Sequence, residues 1–393
     1  MLEIRASKQH FLGMPVEEFL RGYWQKQPLL IRQAFPGYEP PLTPEDLAGL
    51  ACEEHALSRL VQHDRRHDAW RVRSGPFEES EFPALGTRDW TLLVQDMDKW
   101  DADIRALLDR FRFLPAWRID DVMISFATPG GSVGPHVDQY DVFLLQAQGQ
   151  RRWQIDADPQ APRDFRPDVE LKLLKHFQPS HEWVLEPGDM LYLPPGVPHH
   201  GEAVDACMTF SIGMRAPSRA ELLVDLAEEL AGSLPEEARY ADPDLAEPRD
   251  AFEIDDAAFA RVDQALSSLA SMDAKSRRRW FGRFITRYRS AGDIAAAPRT
   301  PGFDTAVKAL AGGGLLLRHP FARSAWAKQG KDALLFVDGE AWQMDARSAH
   351  VLASYEAIDD SALAKLGDAG RDALASLLRR GHYQLQKASR SRR

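Results

Sequence analysis

The sequence predicts an α+β chain in three parts: a β-sandwich or barrel preceded by helices, a small helical module, and a closing domain of helices with a hairpin. Three observations predict it. Between about Trp90 and Arg215, short apolar runs (DVMISFA, DVFLLQA, RRWQI, HEWVLEPGDMLYLPPG, ACMTFSIGM) are separated by PGG, AQGQ, EPGD and PPGVPHHG, which are turn sequences. Strands this short and this regularly spaced, with few helical patterns between them, belong to sandwiches and barrels. On either side the apolar spacing becomes that of amphipathic helices. Near the end, LLFVDGEAWQM sets Asp338-Gly339 between two apolar runs, a strong hairpin signal. The boundaries expected from these changes are 1–217, 218–292 and 293–393.

Each element has its own signal. In PVEEFLRGYW, Val16, Phe19, Leu20 and Tyr23 fall on one helical face. Thr43-Pro44-Glu45-Asp46 reads as an N-cap with proline in the first turn and an acid at the third position, with Leu47 and Leu50 opening the buried face. After the β region, Ser218 and Glu221 form a capping box, followed by Leu222, Leu223, Leu226 and Leu230. A second helix carries Phe259, Val262, Leu266 and Leu269. A third carries Trp280, Phe281, Phe284 and Tyr288, whose aromatic face is either core or a subunit interface. AAAPRT, Ala295 to Thr300, is a candidate linker. RDALASLLRRG is a helix stopped at Gly381. Helices plus a hairpin resemble a winged helix. No basic stripe accompanies it beyond Arg379, Arg380 and the tail KASRSRR, so scaffolding is expected of it rather than DNA binding.

Of the 393 residues 59 are Asp or Glu and 49 are Lys or Arg, a formal charge of −10. A surplus of this sign does not wrap nucleic acid by charge; on a chain this long it serves solubility first, and it could also attract a basic partner. The two cysteines, Cys52 and Cys207, lie far apart and outside any CxxC, which argues against a disulfide scaffold or a thiolate zinc site. No apolar run approaches the ~20 residues of a membrane span. MLEIRASKQHFLGM lacks the apolar core of a signal peptide, so cytoplasmic residence is expected.

The chemistry centres on GPHVDQYDVFLLQAQGQRRW. Alternate residues of a strand face one way, so His136 and Asp138 present imidazole and carboxylate together. Those are two ligands of a 2-His-1-carboxylate site, which binds Fe(II) and leaves three positions open. HxD alone is a weak signal, and a second histidine must come from elsewhere in the fold. In YLPPGVPHHGE a strand and a Pro-Gly turn lead into His199 and His200. Neighbours on an extended chain point opposite ways, so only one of the two can join the pair. His176 and His181 fall in a polar connection. His63 and His67 have i,i+4 spacing without a fixed carboxylate companion and read as a solvated charge cluster. On the run that returns after AQGQ, Arg151 shares a face with Trp153 and Ile155. That face should be the interior, where a cation needs an anion. A bound dicarboxylate would supply one, chelating the metal at one end and pairing with Arg151 at the other; the alternatives are an internal carboxylate or a guanidinium that snorkels to the surface.

With these motifs on the page, the first ~215 residues resemble the JmjC-type 2-oxoglutarate oxygenases, of the cupin or double-stranded β-helix class. FLRGYWQKQPLLIRQAF, PHVDQYDVFLLQAQGQRRW and YLPPGVPHHGE are most similar to the ribosomal oxygenases, in their bacterial arginine-hydroxylating branch. The resemblance implies a jelly roll followed by a dimerising helical module and a winged-helix-like end. It implies Fe(II) with 2-oxoglutarate and O2 as cosubstrates, and His136, Asp138 and His199 as iron ligands, since the metal histidine of the family directly follows the PPGxP turn. It places Arg151 on the far carboxylate of 2-oxoglutarate and Ser125 beside the cosubstrate. The implied reaction is arginine 3-hydroxylation of ribosomal protein L-sixteen by a homodimer that needs neither membrane nor nucleic acid. Asp120, Asp121 and Tyr140 stand near enough in sequence to be candidates for gripping substrate. The alternatives are a histidyl hydroxylase or a JmjC demethylase of the same chemistry, a non-catalytic cupin binding protein, and a DNA-binding regulator.

Overall fold

A computed structural model describes residues 2–243, 256–266, 272–288, 294 and 300–388. The chain forms two compact units, Met1–Ala216 and Pro217–Arg393.

The strands of the first unit are β1 (Glu3–Arg5), β2 (Leu29–Arg32), β3 (Ser58–Asp64), β4 (Ala69–Ser74), β5 (Trp90–Val94), β6 (Ile119–Ala127), β7 (His136–Val137), β8 (Val142–Gln148), β9 (Arg151–Ile155), β10 (His181–Leu185), β11 (Met190–Leu193), β12 (Pro198–Ala203) and β13 (Cys207–Met214). Nine of them make one sheet in the order β1-β2-β11-β8-β13-β6-β5-β3-β4, and four make a second, β10-β9-β12-β7. The helices are α1 (Val16–Gly22), α2 (Pro44–Leu50), α3 (Met97–Trp100) and α4 (Ala102–Leu107).

The central strands of the large sheet are buried on both faces, which is why they read as continuous apolar runs rather than alternating ones. Val142, Leu144, Leu191 and Leu193 meet Trp153, Ile155 and Leu185 of the small sheet. Phe143, Leu145, Met190 and Tyr192 turn the other way, toward Phe19, Leu47 and Phe111. The helix entering that second core starts as its sequence specifies: Thr43 Oγ1 accepts from the Asp46 amide, and Asp46 accepts in return from the Thr43 amide.

Three sequence expectations change here. The runs before and after AQGQ are consecutive but do not pair: β8 lies between β11 and β13 in the large sheet, and β9 between β10 and β12 in the small one. The turn carries the chain from one sheet to the other. His63 and His67 are on no helix. They lie on and beside the β3–β4 hairpin, where His63 stacks on Trp70 with ring centres 3.9 Å apart. His181 opens β10 rather than lying in a loop.

In the second unit the helices are α5 (Arg219–Ala231), α6 (Asp256–Leu266), α7 (Ala274–Arg287), α8 (Phe303–Ala311), α9 (Ala346–Ser354), α10 (Asp360–Leu363) and α11 (Asp368–Arg379). The strands are β14 (Leu315–Arg318), β15 (Ser324–Gln329), β16 (Asp332–Val337), β17 (Glu340–Met344), β18 (Ala357–Ile358) and β19 (Tyr383–Gln386). They form two three-stranded sheets, β18-β14-β19 and β15-β16-β17. The β16–β17 hairpin turns at Asp338-Gly339, both with positive φ (44° and 85°), the geometry of a tight primed turn. One core gathers α8 to α11 with both sheets.

The aromatic face of α7 is core. Trp280, Phe284 and Tyr288 are buried, the Trp280 indole donates to Asp225 at 2.8 Å, and Gly282 leaves room for Phe336 of β16. The apolar face of α5 departs from expectation: Leu222, Leu226 and Leu230 are half-buried, but Leu223 is 66% exposed, with Val224 beside it at 59%. On α6, Phe259, Val262 and Leu266 are all exposed. Leu269 and residues 295–299 of the candidate linker lie outside the described residues.

Candidate metal centre

The small sheet brings the sequence-predicted ligands together. β12 pairs antiparallel with β7, and His199 stands directly opposite His136, their ring centres 4.2 Å apart. Each Nδ1 lies 2.9 Å from a backbone carbonyl, His136 from Gly134 and His199 from Val197. A carbonyl only accepts, so each Nδ1 is a donor, which leaves each Nε2 as the ring's potential ligand atom. Asp138 Oδ2 lies 3.6 Å from His199 Nε2 and 3.9 Å from His136 Nε2. The potential ligand atoms of the three residues all lie within 4.8 Å of one another. Burial first, and then the neighbouring His136, push the His199 imidazole down to about 4, so its lone pair is available at neutral pH. His200 is not part of this cluster. It points to the opposite face of β12, with Nε2 3.0 Å from Ser132 Oγ.

Arg151 does point inward. It is 3% exposed, and burial pushes its pKa down. Its Nη2 donates to the Gly201 carbonyl at 3.2 Å and its Nη1 reaches Ser125 Oγ only at 3.5 Å. Among the described residues no carboxylate pairs with it. Its Nε, like the indole N–H of Trp153, is a buried donor without an acceptor. The guanidinium carbon lies 5.2 Å from the Trp153 ring centre, and that ring is 6.0 Å from His199. Gly201 keeps this space open. A Cβ there would stand 2.7 Å from Arg151 Nε and 2.8 Å from the Trp153 ring. Ser125, on β6, is buried, and its other contact, to the Thr209 carbonyl, is also 3.5 Å long. Contacts at that limit leave the hydroxyl available to a better partner.

Of the candidate substrate-gripping residues, Asp120 is engaged by Arg215 at 3.1 Å. Asp121 is different. Desolvation, and then the charge of Asp96, raise its carboxyl to about 7. Burial, Asp138 and Asp121 together hold the Tyr140 phenol protonated. Sequence reasoning missed the Trp153 donor, although the alternation in RRWQI already set it on the face of Arg151.

The residues fit a group that the chain itself does not contain. Two imidazoles and a carboxylate form a donor set suited to Fe(II). A buried unpaired guanidinium with orphan donors beside it suits a carboxylate ligand.

Fold and site together define a class, the jelly-roll oxygenases of JmjC type, and residues 106–222 match the JmjC domain family. Residues 270–384 match the ROXA-like winged helix, and residues 175–270 match the AraC-like ligand binding domain, overlapping the JmjC segment. The chain is 39% identical over 317 residues to the ribosomal protein uL16 3-hydroxylase of Escherichia coli (strain K12), covering 77% of this chain and 79% of that protein. It is 38% identical over 230 residues to a probable ribosomal oxygenase of Haemophilus influenzae, covering 58% of this chain and 54% of the relative. The structure of a ribosomal oxygenase from Escherichia coli in complex with cobalt and 2-oxoglutarate matches with a TM-score of 0.78 and 34% identity, over 95% of this chain and 98% of that one. The chain belongs to the JmjC-type ribosomal oxygenases.

Proposed function

We propose that this chain is an Fe(II)- and 2-oxoglutarate-dependent protein hydroxylase that places a hydroxyl on the β-carbon, the 3-position, of an arginine in ribosomal protein L-sixteen. The observation that carries the cosubstrate is Arg151, a buried cation with no carboxylate partner among the described residues, in the same interior as the His136, Asp138 and His199 cluster. A cupin that only bound a metal would have no use for that cation. The choice of target follows the E. coli relative's name.

When bound, Fe(II) and 2-oxoglutarate supply O2 activation and an oxidative decarboxylation to succinate and CO2. The chain supplies position. His136, Asp138 and His199 would hold the metal, with each imidazole fixed by its Nδ1 bond to a carbonyl. Arg151 would hold the far carboxylate of the cosubstrate, with the Ser125 hydroxyl alongside. The apolar interior formed by Leu144, Ile155 and Leu191 keeps water from the reacting side. Asp121 and Tyr140 would receive the guanidinium of the target arginine. A cation there relieves the electrostatic cost of ionising Asp121, which favours arginine over a neutral histidine as substrate.

The three-part division at 1–217, 218–292 and 293–393 completes the proposal. The exposed apolar residues of α5 and α6 serve dimerisation, and the winged-helix end is a scaffold. Among the described residues no helix is long and apolar enough to cross a membrane. The acidic net charge suits a basic ribosomal protein, and the chain works in the cytoplasm, where that substrate is made.

Intact-mass spectrometry of purified L-sixteen tests the reading, after incubation with the chain, Fe(II), 2-oxoglutarate and O2. The expected result is a gain of one oxygen atom, located on an arginine by fragmentation and lost in His136→Ala. An unmodified protein with no succinate formed would reject the reading. Oxygen on a histidine would shift it to histidyl hydroxylation.

A further inference from the structure

The Ser132 hydroxyl has three partners and its bonding capacity is full. It donates to the Gly201 carbonyl at 2.7 Å, it accepts from the Gly134 amide at 2.9 Å, and it lies 3.0 Å from His200 Nε2. A hydroxyl has one proton, and the carbonyl takes it. His200 Nε2 must therefore carry its own proton and donate. Ser132 is 3% exposed, so none of these bonds is exchanged cheaply for water.

The partners sit on the two segments that deliver the histidines. Gly201 and His200 are on β12, immediately after His199. Gly134 is two residues before His136, and its carbonyl is the group that holds His136 Nδ1 at 2.9 Å. Ser132 also forms an isolated β-bridge with Glu202, so the backbones are already in register at this point. The side chain adds what the backbone ladder lacks. By accepting from the Gly134 amide it anchors the residue whose carbonyl, on the next peptide, aims one imidazole, and it ties that residue to the strand carrying the other.

We propose that Ser132 is a positioning residue for the metal centre, setting the separation and tilt of His136 and His199, with His200 as its outer pin. This also gives His200 a role on the face of β12 away from the ligand cluster. The inference rests on the proposed metal site, and groups one shell beyond the ligands commonly govern affinity by about 10- to 100-fold.

The test is a titration of the metal-free full chain with Co(II) alone, followed by visible absorption and checked by the melting temperature of each variant. The parent should bind and His136→Ala should not. Ser132→Ala should fold, bind about 10- to 100-fold more weakly, and show displaced ligand-field bands. Ser132→Thr, which keeps the hydroxyl, should restore affinity and bands toward the parent. His200→Leu should fall between the parent and Ser132→Ala, and it decides the matter if Ser132→Ala does not fold. A folded Ser132→Ala with parental affinity and spectrum overturns this inference alone. A parent that does not bind Co(II) overturns the metal reading and this inference with it.

Discussion

Arg151 is buried with no counter-ion among the described residues, and an unpaired buried charge destabilises the fold that holds it. Arg151→Met should therefore raise the stability of the ligand-free chain, by about 1–3 kcal/mol. The Gly201 carbonyl keeps its bond from Ser132, so the substitution leaves no new orphan there. The same variant should lose thermal protection by 2-oxoglutarate, and its KM for 2-oxoglutarate should rise more than tenfold, since truncating a buried charge pair costs about 2–5 kcal/mol. A parallel pair of melting curves, with and without 2-oxoglutarate, checks this; retained protection would refute the assignment. Asp121 gives a pH signature. Its carboxyl is raised from 3.8 to about 7 in the folded chain, so its contribution to stability is complete below the unfolded value, declines as pH rises from there, and is lost by about 7. A guanidinium favours the ionised form, so KM for an arginine substrate should fall as pH rises through that value. Asp121→Asn should flatten both profiles, as measured by denaturation and initial rates across pH 5.5–8.5, a window of about 1.5 units either side of that carboxyl value. The residues of the candidate cluster were legible in the sequence at this scale because HxD and PHH are local spacings. The choice of His199 over His200 rested on resemblance, and the geometry brings His199, not His200, beside His136 and Asp138.

At the scale of elements, local chemistry was readable and pairing was not. The Thr43 and Ser218 capping boxes and the Asp338-Gly339 turn formed as their residues specify, since each involves groups a few positions apart. The runs flanking AQGQ were read as outgoing and returning strands, yet each joins a different sheet. Nothing in the turn decides that. The decision lies with β11 and β13, which pair with β8, and with β10 and β12, which pair with β9. His63 and His67 had helical spacing, but His63 stacks on Trp70 from the paired strand, a contact no periodicity of one segment reveals.

At the scale of the molecule, the sequence left the aromatic face of α7 open between core and interface. Trp280 and Phe284 are buried within their own unit, which leaves the exposed apolar residues of α5 and α6 as the candidate contact between copies. Val224→Glu with Phe259→Glu should convert a dimer into a monomer, measured by sedimentation equilibrium. Each replaces exposed apolar surface, so the monomer should keep its melting temperature to within a few degrees. A parent that sediments as a monomer would remove the dimer from the proposal.

The sequence by itself determined the order of the parts, the capped helices, the hairpin, the two-residue spacing of His136 and Asp138, and the inward face of Arg151. These follow from 3.6- and 2-residue periods and from turn chemistry, which act over a few bonds. Only the tertiary structure decided which strand lies beside which. It set His199 opposite His136, left Arg151 without a carboxylate among the described residues, kept Gly201 bare beside the Trp153 ring, and joined Ser132 to both histidine strands. Those contacts link residues far apart in the chain, such as Arg151 with Gly201, 50 positions away, and Ser132 with Gly201, 69 away. Their energies depend on the whole barrel closing around them.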